Sequence, residues 1–279
     1  MKAGYGPPTA LGTLDVPVHL NADYDWDSFD PRYYFAHNYA SLRRDDARML
    51  ALVRDWFTEA LPVGRGPLEG IDVGSGANLY PALALLPHCD AVTLLEYSRE
   101  NAEWLDAAVR DLPGSWRQFW RHLTPAVPPP AAPPLGEPDE PEDEDAAFAQ
   151  VRARMAKVCT VTQGSIFNLE RRRWDLGTMF FVAESLTEDP GQFEEALRCF
   201  LGSLRPGAPF AAAFMECSQG YDVGGVHFPA VSVDENRLRA AFHSLGLVRG
   251  FKVRRVDIDP APLRPGYTGY LVAIGHVQD

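Results

Sequence analysis

Two hydrophobic periods alternate along this chain. Runs rich in apolar and β-branched residues at 68–73, 91–96, 158–163, 174–182 and 209–215, bounded by Gly, Pro or polar residues, read as strands. Between them, apolar positions recur three and four apart. Leu42, Met49, Leu50, Val53, Trp56 and Phe57 mark an amphipathic helix within 41–61, and Ala102, Leu105, Ala108 and Val109 mark another within 99–112. Helices are also predicted at 78–86, 145–155 and 190–204. The last opens on Asp189-Pro190-Gly191-Gln192, an N-cap with Pro at the first helical position, and stops at Arg205-Pro206-Gly207. Ser232-Val233-Asp234-Glu235 is a capping box ahead of a face formed by Leu238, Ala241, Phe242 and Leu245. Strand and helix alternate, which predicts a mainly parallel, doubly wound α/β sheet. The closing strands, 247–256 and 269–277, are joined by a loop too short for a crossover helix and must pair antiparallel.

The stretch 71–76 (IDVGSG) brings chemistry to this pattern. Gly74-Ser75-Gly76 lets the chain turn tightly after the first strand and approach a ligand without a Cβ in the way, and a helix begins just beyond it. Glu96 ends the next strand about twenty residues later, where such folds place a carboxylate that accepts both ribose hydroxyls. A dinucleotide is disfavoured, because the third glycine of G-x-G-x-x-G is replaced by Leu79. A ligand without a pyrophosphate suits the turn better, and S-adenosylmethionine, with its ribose, amino-acid end and sulfonium, is the expected cofactor.

Charge changes little in this picture once it is located. The net charge is −12, but 125–145 alone holds seven acids, eight prolines and no base. Such a segment can form neither helix nor ladder, and it reads as a disordered insertion. The remaining 31 acids and 26 bases give no basic surface for nucleic acid or anionic membrane. Residues 1–22, rich in Gly and Pro, read as a flexible N-terminus, with order expected from about Tyr24. The cysteines Cys89, Cys159, Cys199 and Cys217 stand singly, as in a reduced, cytoplasmic protein. No signal peptide or membrane-spanning run is visible, and the scattered histidines offer no metal site. His37 and His227 read as solvated loop histidines. The expected assembly is a monomer or weak dimer.

Three segments, FDPRYY…NY at 29–39, IDVGSGANLY at 71–80 and LEYS…N at 95–101, carry a resemblance. The chain resembles the nicotinamide, phenylethanolamine and thioether methyltransferase family, from about Tyr24 to the last strand. That resemblance implies a Rossmann-like class I methyltransferase fold: a seven-stranded, mainly parallel sheet with an antiparallel last strand, and an N-terminal helical cap at 23–66 over the active site. It implies methyl transfer from S-adenosylmethionine to a small molecule, with an amine or heteroaromatic nitrogen as the expected acceptor.

Carried over residue by residue, the resemblance assigns Tyr34 and Tyr39 to cofactor or active-site contact. Gly74, Ser75 and Gly76 become the glycine turn, and Asn78 and Tyr80 contact the donor's amino-acid end. Glu96 becomes the ribose acid, with Tyr97 beside the adenine and Asn101 following. Ser165 and Ile166 fall where the family often has an Asp and an apolar residue against adenine. At the acceptor the chain departs from the family: Phe214 stands opposite an acid of the fifth strand, leaving Glu184 and Glu216 as candidate catalytic or acceptor-orienting carboxylates. Tyr24, Phe214, Ser218 and Tyr221 complete the expected acceptor contacts, the last two in a Gly-rich lid at 217–230. Methyl transfer to a phenol or acid oxygen, a nucleotide-binding oxidoreductase and a non-catalytic adenosylmethionine-binding protein are the alternatives.

Overall fold

A computed structural model describes residues 19–61, 66–123, 142–259 and 266–278, with the backbone alone at 142–145. In chain order the helices and strands are α1 (Pro31–Asn38), α2 (Arg44–Ala60), β1 (Glu69–Val73), α3 (Tyr80–Leu85), β2 (Ala91–Glu96), α4 (Arg99–Arg110), α5 (Arg117–Leu123), α6 (Glu142–Val158) and β3 (Cys159–Gln163). They continue with β4 (Leu176–Phe180), α7 (Pro190–Ser203), β5 (Pro209–Glu216), β6 (Tyr221–Val223), β7 (Val226–Phe228), α8 (Glu235–Leu245), β8 (Val248–Asp257) and β9 (Gly269–Val277).

Seven strands form one sheet in the order β3-β2-β1-β4-β5-β9-β8. All neighbours pair parallel except around β9, which runs antiparallel to both β5 and β8. This is the sheet expected from the pattern, and the order reverses between β1 and β4, which opens a crevice at their carboxyl ends. Alternate residues feed opposite cores. On β5, Ala211, Ala213 and Met215 face the α2, α3 and α5 side, whereas Phe210, Ala212 and Phe214 face α7 and α8.

Three features differ from expectation. Helix α2, which the resemblance includes in the cap, also packs on the sheet: Met49, Leu50, Val53 and Phe57 are fully buried and Trp56 Nε1 donates to Phe210 O at 3.0 Å. Its apolar stripe is wide enough to need a sheet beneath it. The structure of 125–141 lies outside the described residues, but α6 begins at Glu142, ahead of the expected Asp145. Acidic residues such as those at 142–145 are favoured by sequence in a helix's first turn, where the helix dipole is positive. Residues 1–18 also lie outside the described residues. Order starts before Tyr24, where Asn21 N donates to Gln192 Oε1 at 2.8 Å and Trp26 Nε1 donates to Asn21 O at 2.9 Å.

Residues 19–39, the first part of the expected cap, sit beside the β6–β7 hairpin. Asp30 caps α1 by accepting from Arg32 N and Tyr33 N. Phe228 is enclosed by Trp26, Phe29 and Tyr221 with ring centroids 5.3, 5.3 and 5.6 Å away. Cap and hairpin thus share a small apolar cluster apart from the two sheet cores.

Candidate active site

The crevice between β1 and β4 opens into a cleft of about 860 Å³, open solvent at its mouth included. Its floor is the turn after β1. Gly74 has φ +67° and Gly76 has φ +54°, a region costly for other residues, and a Cβ on Gly74 would stand 2.6 Å from Val182 Cγ2. Asn78 Oδ1 accepts from Tyr80 N at the start of α3, so the short helix begins immediately behind the turn.

Glu96 reaches across from the end of β2. Its Oε2 accepts from Gly76 N at 2.8 Å and its Oε1 from Ser98 N at 2.9 Å. Burial pushes the Glu96 carboxyl above its ordinary range, while the backbone donors pull it back. Asn101 Oδ1, also in the cleft wall, is buried with no hydrogen-bond partner. Below the turn, Asp72 accepts from Thr178 Oγ1 at 2.7 Å, and burial raises its carboxyl to about 7.

Gly74, Ser75, Gly76, Asn78, Glu96, Tyr97, Asn101, Ser165 and Ile166 all line the cleft, as do Tyr34 and Tyr39 from the cap and Tyr221 from the hairpin. Ser165 also caps the following turn, accepting from Phe167 N at 3.2 Å. The other expected contacts are elsewhere. Tyr80 is fully buried behind the wall, its ring 5.5 Å from Tyr39 and 5.8 Å from Phe119. Phe214 follows the period of β5 into the α7–α8 core, against Phe193 and Phe242. Glu184 is fully buried, its Oε1 accepting from Met215 N at 2.9 Å, because the chain turns inward after Phe181. Glu216 lies beyond the cleft, accepting from Arg255 Nε at 2.9 Å and Thr268 Oγ1 at 2.7 Å. Ser218 is buried outside the cleft lining, and Tyr24 packs on His19 and Trp26 within the cap, also outside that lining. His227 pairs with Asp222 on the exposed hairpin and His37 stacks on Tyr33, neither of them in the cleft lining.

Sequence reasoning missed Trp26, Phe29 and Phe181, which also line the cleft. Trp26 and Phe29 lie in the aromatic segment before the sheet, whose rings other than Tyr34 and Tyr39 read as packing residues. Phe181 directly follows the carboxyl end of β4, a position where open sheets put ligand contacts. It adopts φ +61°, uncommon for an aromatic residue, and its ring rests 5.1 Å from Tyr270.

The profile of the NNMT/PNMT/TEMT family matches residues 18–263. The chain belongs to that family. Phenylethanolamine N-methyltransferase from Homo sapiens is 27% identical over 283 residues, covering 95% of this chain and 91% of its own. The Rattus norvegicus enzyme of that name is 28% identical over 254 residues, covering 85% and 83%. Among solved structures, the 1,6-didemethyltoxoflavin-N1-methyltransferase of Burkholderia thailandensis shares the fold, with a TM-score of 0.54, 16% identity and coverage of 95% and 94%. This NNMT/PNMT/TEMT member is therefore an S-adenosylmethionine-dependent methyltransferase with a class I Rossmann-like fold. The oxidoreductase alternative falls with that assignment. The residues fit the cofactor: a turn whose Gly74 and Gly76 take left-handed backbone, a buried strand-end carboxylate held at that turn, and the unpartnered Asn101 oxygen.

Proposed function

We propose that Gly74–Asn78, Glu96, Tyr97, Asn101, Ser165 and Ile166 hold S-adenosylmethionine, and that the acceptor nitrogen enters beneath the cap between Tyr34, Tyr39 and Tyr221. The observation that carries this reading is Glu96, buried, aimed at the glycine turn and held from two sides by backbone N–H groups. When bound, the cofactor supplies a sulfonium methyl that a nucleophile takes by in-line displacement. The chain's own part is positioning and exclusion of water. Glu96 fixes the ribose, Tyr97 and Ile166 flank the adenine, and Asn101 offers its free oxygen. The rings of Tyr34 and Tyr39, 5.8 Å apart, present electron-rich faces to a sulfonium. Glu184 and Glu216 are not kept as catalytic groups, since neither lines the cleft, and Glu216 is engaged by Arg255 and Thr268.

The reading extends to a cytoplasmic protein acting on small molecules as a monomer or weak dimer. Support comes from four free cysteines and from the lack of any long apolar membrane helix among the described residues. Calorimetric titration with S-adenosylhomocysteine tests the donor site. Micromolar binding that Glu96→Ala weakens is expected, followed by a gain of one methyl mass on an amine or N-heteroaromatic panel. Unchanged affinity in Glu96→Ala would remove it from the site.

A further inference from the structure

The segment 19–39 is fastened on both sides of the crevice. On the β4 side, Asn21 N donates to Gln192 Oε1 at 2.8 Å and Thr187 Oγ1 donates to His19 O at 3.3 Å, which ties its start to α7 and the turn before it. On the β2 side the fastening is Asp27. The short 3₁₀ helix at Trp26–Ser28 places Trp26 in the cleft lining and Asp27 on the start of α4. Asp27 Oδ1 accepts from Arg99 N at 2.8 Å, and its Oδ2 stands 4.0 Å from Arg99 Nε.

A helix leaves its first backbone N–H groups without partners of its own. In α4 the N-cap Ser98 hydroxyl accepts from Asn101 N at 3.3 Å, and the first helical amide, Arg99 N, goes to Asp27 of the cap. The residue before it completes the pattern, since Ser98 N donates to Glu96 Oε1 at 2.9 Å. Adjacent amides of one turn thus hold the strand-end carboxylate and the cap, and Asn101 in the cleft wall belongs to the same first turn of the helix. The positive end of the helix dipole adds to the attraction for a carboxylate here. The guanidinium adds little, because both side chains are exposed and Arg99 is shared with Glu100. Resting on the donor-site reading above, we infer that Asp27 is a positioning residue that couples closure of the cap to the donor half: it seats Trp26 and Phe29 in the cleft wall by gripping the turn that carries Glu96, Tyr97 and Asn101. Such coupling is reciprocal, so a ligand that orders the turn tightens the cap, and a seated cap tightens the ligand.

The test is calorimetric titration of the full chain with S-adenosylhomocysteine, joined to hydrogen exchange of the amides at 26–29 with and without that ligand. Asp27→Ala should weaken S-adenosylhomocysteine about 3- to 10-fold and shrink by a similar factor the slowing of exchange that the ligand brings to 26–29. Asp27→Asn, which keeps an acceptor for Arg99 N, should restore most of both, and Arg99→Ala, which keeps the amide, should stay within about twofold of the original. The ligand-free melting temperature should move by no more than about 2 °C in each variant. Unchanged affinity and cap protection in Asp27→Ala would overturn the inference. So would a loss in Arg99→Ala equal to that in Asp27→Ala, or a fall in ligand-free stability with ligand protection of the cap intact, which would leave Asp27 a structural contact. If the unsubstituted protein binds no S-adenosylhomocysteine, the donor-site reading fails and the inference with it.

Discussion

The two halves of the cleft are built by different means. The donor half is made of successive strand ends: the turn after β1, Glu96 and Tyr97 at the end of β2 with Asn101 in the helix that follows, and Ser165 and Ile166 after β3. The acceptor half is made of rings from the cap, the end of β4 and the β6–β7 hairpin, nearly two hundred residues apart in the chain. A turn that requires left-handed backbone restricts which residues can occupy it. A wall of aromatic rings can be assembled from many sequences. The first half therefore constrains the chain tightly, and the second is free to follow the acceptor.

Substitutions should break this contrast in a definite order. Gly74→Ala carries both a φ of +67° and a Cβ 2.6 Å from Val182, so it should cost about 2–4 kcal/mol of folding stability, read as a drop in melting temperature. A Tm within about 1 °C of the original would show that the turn relaxes easily. Glu96→Ala removes a charged acceptor of cofactor hydroxyls and leaves Gly76 N and Ser98 N unpaired. S-adenosylhomocysteine affinity should fall about 10- to 100-fold in calorimetry.

Asp46 tests whether the wall behind the acceptor half is neutral. Burial beside Asp45 raises its carboxyl from 3.8 to about 8, so the folded state favours the protonated form. The stability it contributes is complete below about pH 4 and lost as pH rises through about 8. Asp72 has the same sign, raised to about 7, so the informative quantity is the difference between unsubstituted and Asp46→Asn unfolding curves. Asp46→Asn should gain about 1–2 kcal/mol relative to the original above pH 8 and little below pH 5. A pH-independent difference would mean that Asp46 is not buried as the carboxylic acid. Smallest of all, Tyr221→Ala should leave S-adenosylhomocysteine binding within about threefold while weakening an acceptor found on the amine or N-heteroaromatic panel by about 1 kcal/mol. An equal loss of both would join the two halves into one site.

What could be read from sequence follows the same divide. The run 91–96 was a strand to the residue, Glu96 fell at its end, and the β8–β9 loop was short enough to dictate antiparallel pairing. Helix α1 was not predicted as an element, because its aromatic crowding hides any 3.6 period. The β6–β7 hairpin was read as a Gly-rich lid, although Val223-Gly224-Gly225-Val226 carries the two-glycine signal of a tight hairpin, with φ +58° and +89°. Glu184 and Glu216 had the right position in sequence for an acceptor acid. Their direction depended on the turn at Phe181 and on Arg255 from β8, which local sequence does not show.

The small cluster around Phe228 has one more consequence. It joins cap to hairpin with a handful of rings, while each sheet core is many times larger. A unit so small opens at low free energy while the sheet stays intact, so the roof can exchange with solvent as a separate cooperative unit. Amide hydrogens of 26–29 and 221–228 should exchange faster than those of β1, β4 and β5, and S-adenosylhomocysteine should slow them selectively. Ligand entry would then be governed by fraying of this seam, at a rate set by Trp26, Phe29 and Phe228 rather than by the stability of the protein as a whole.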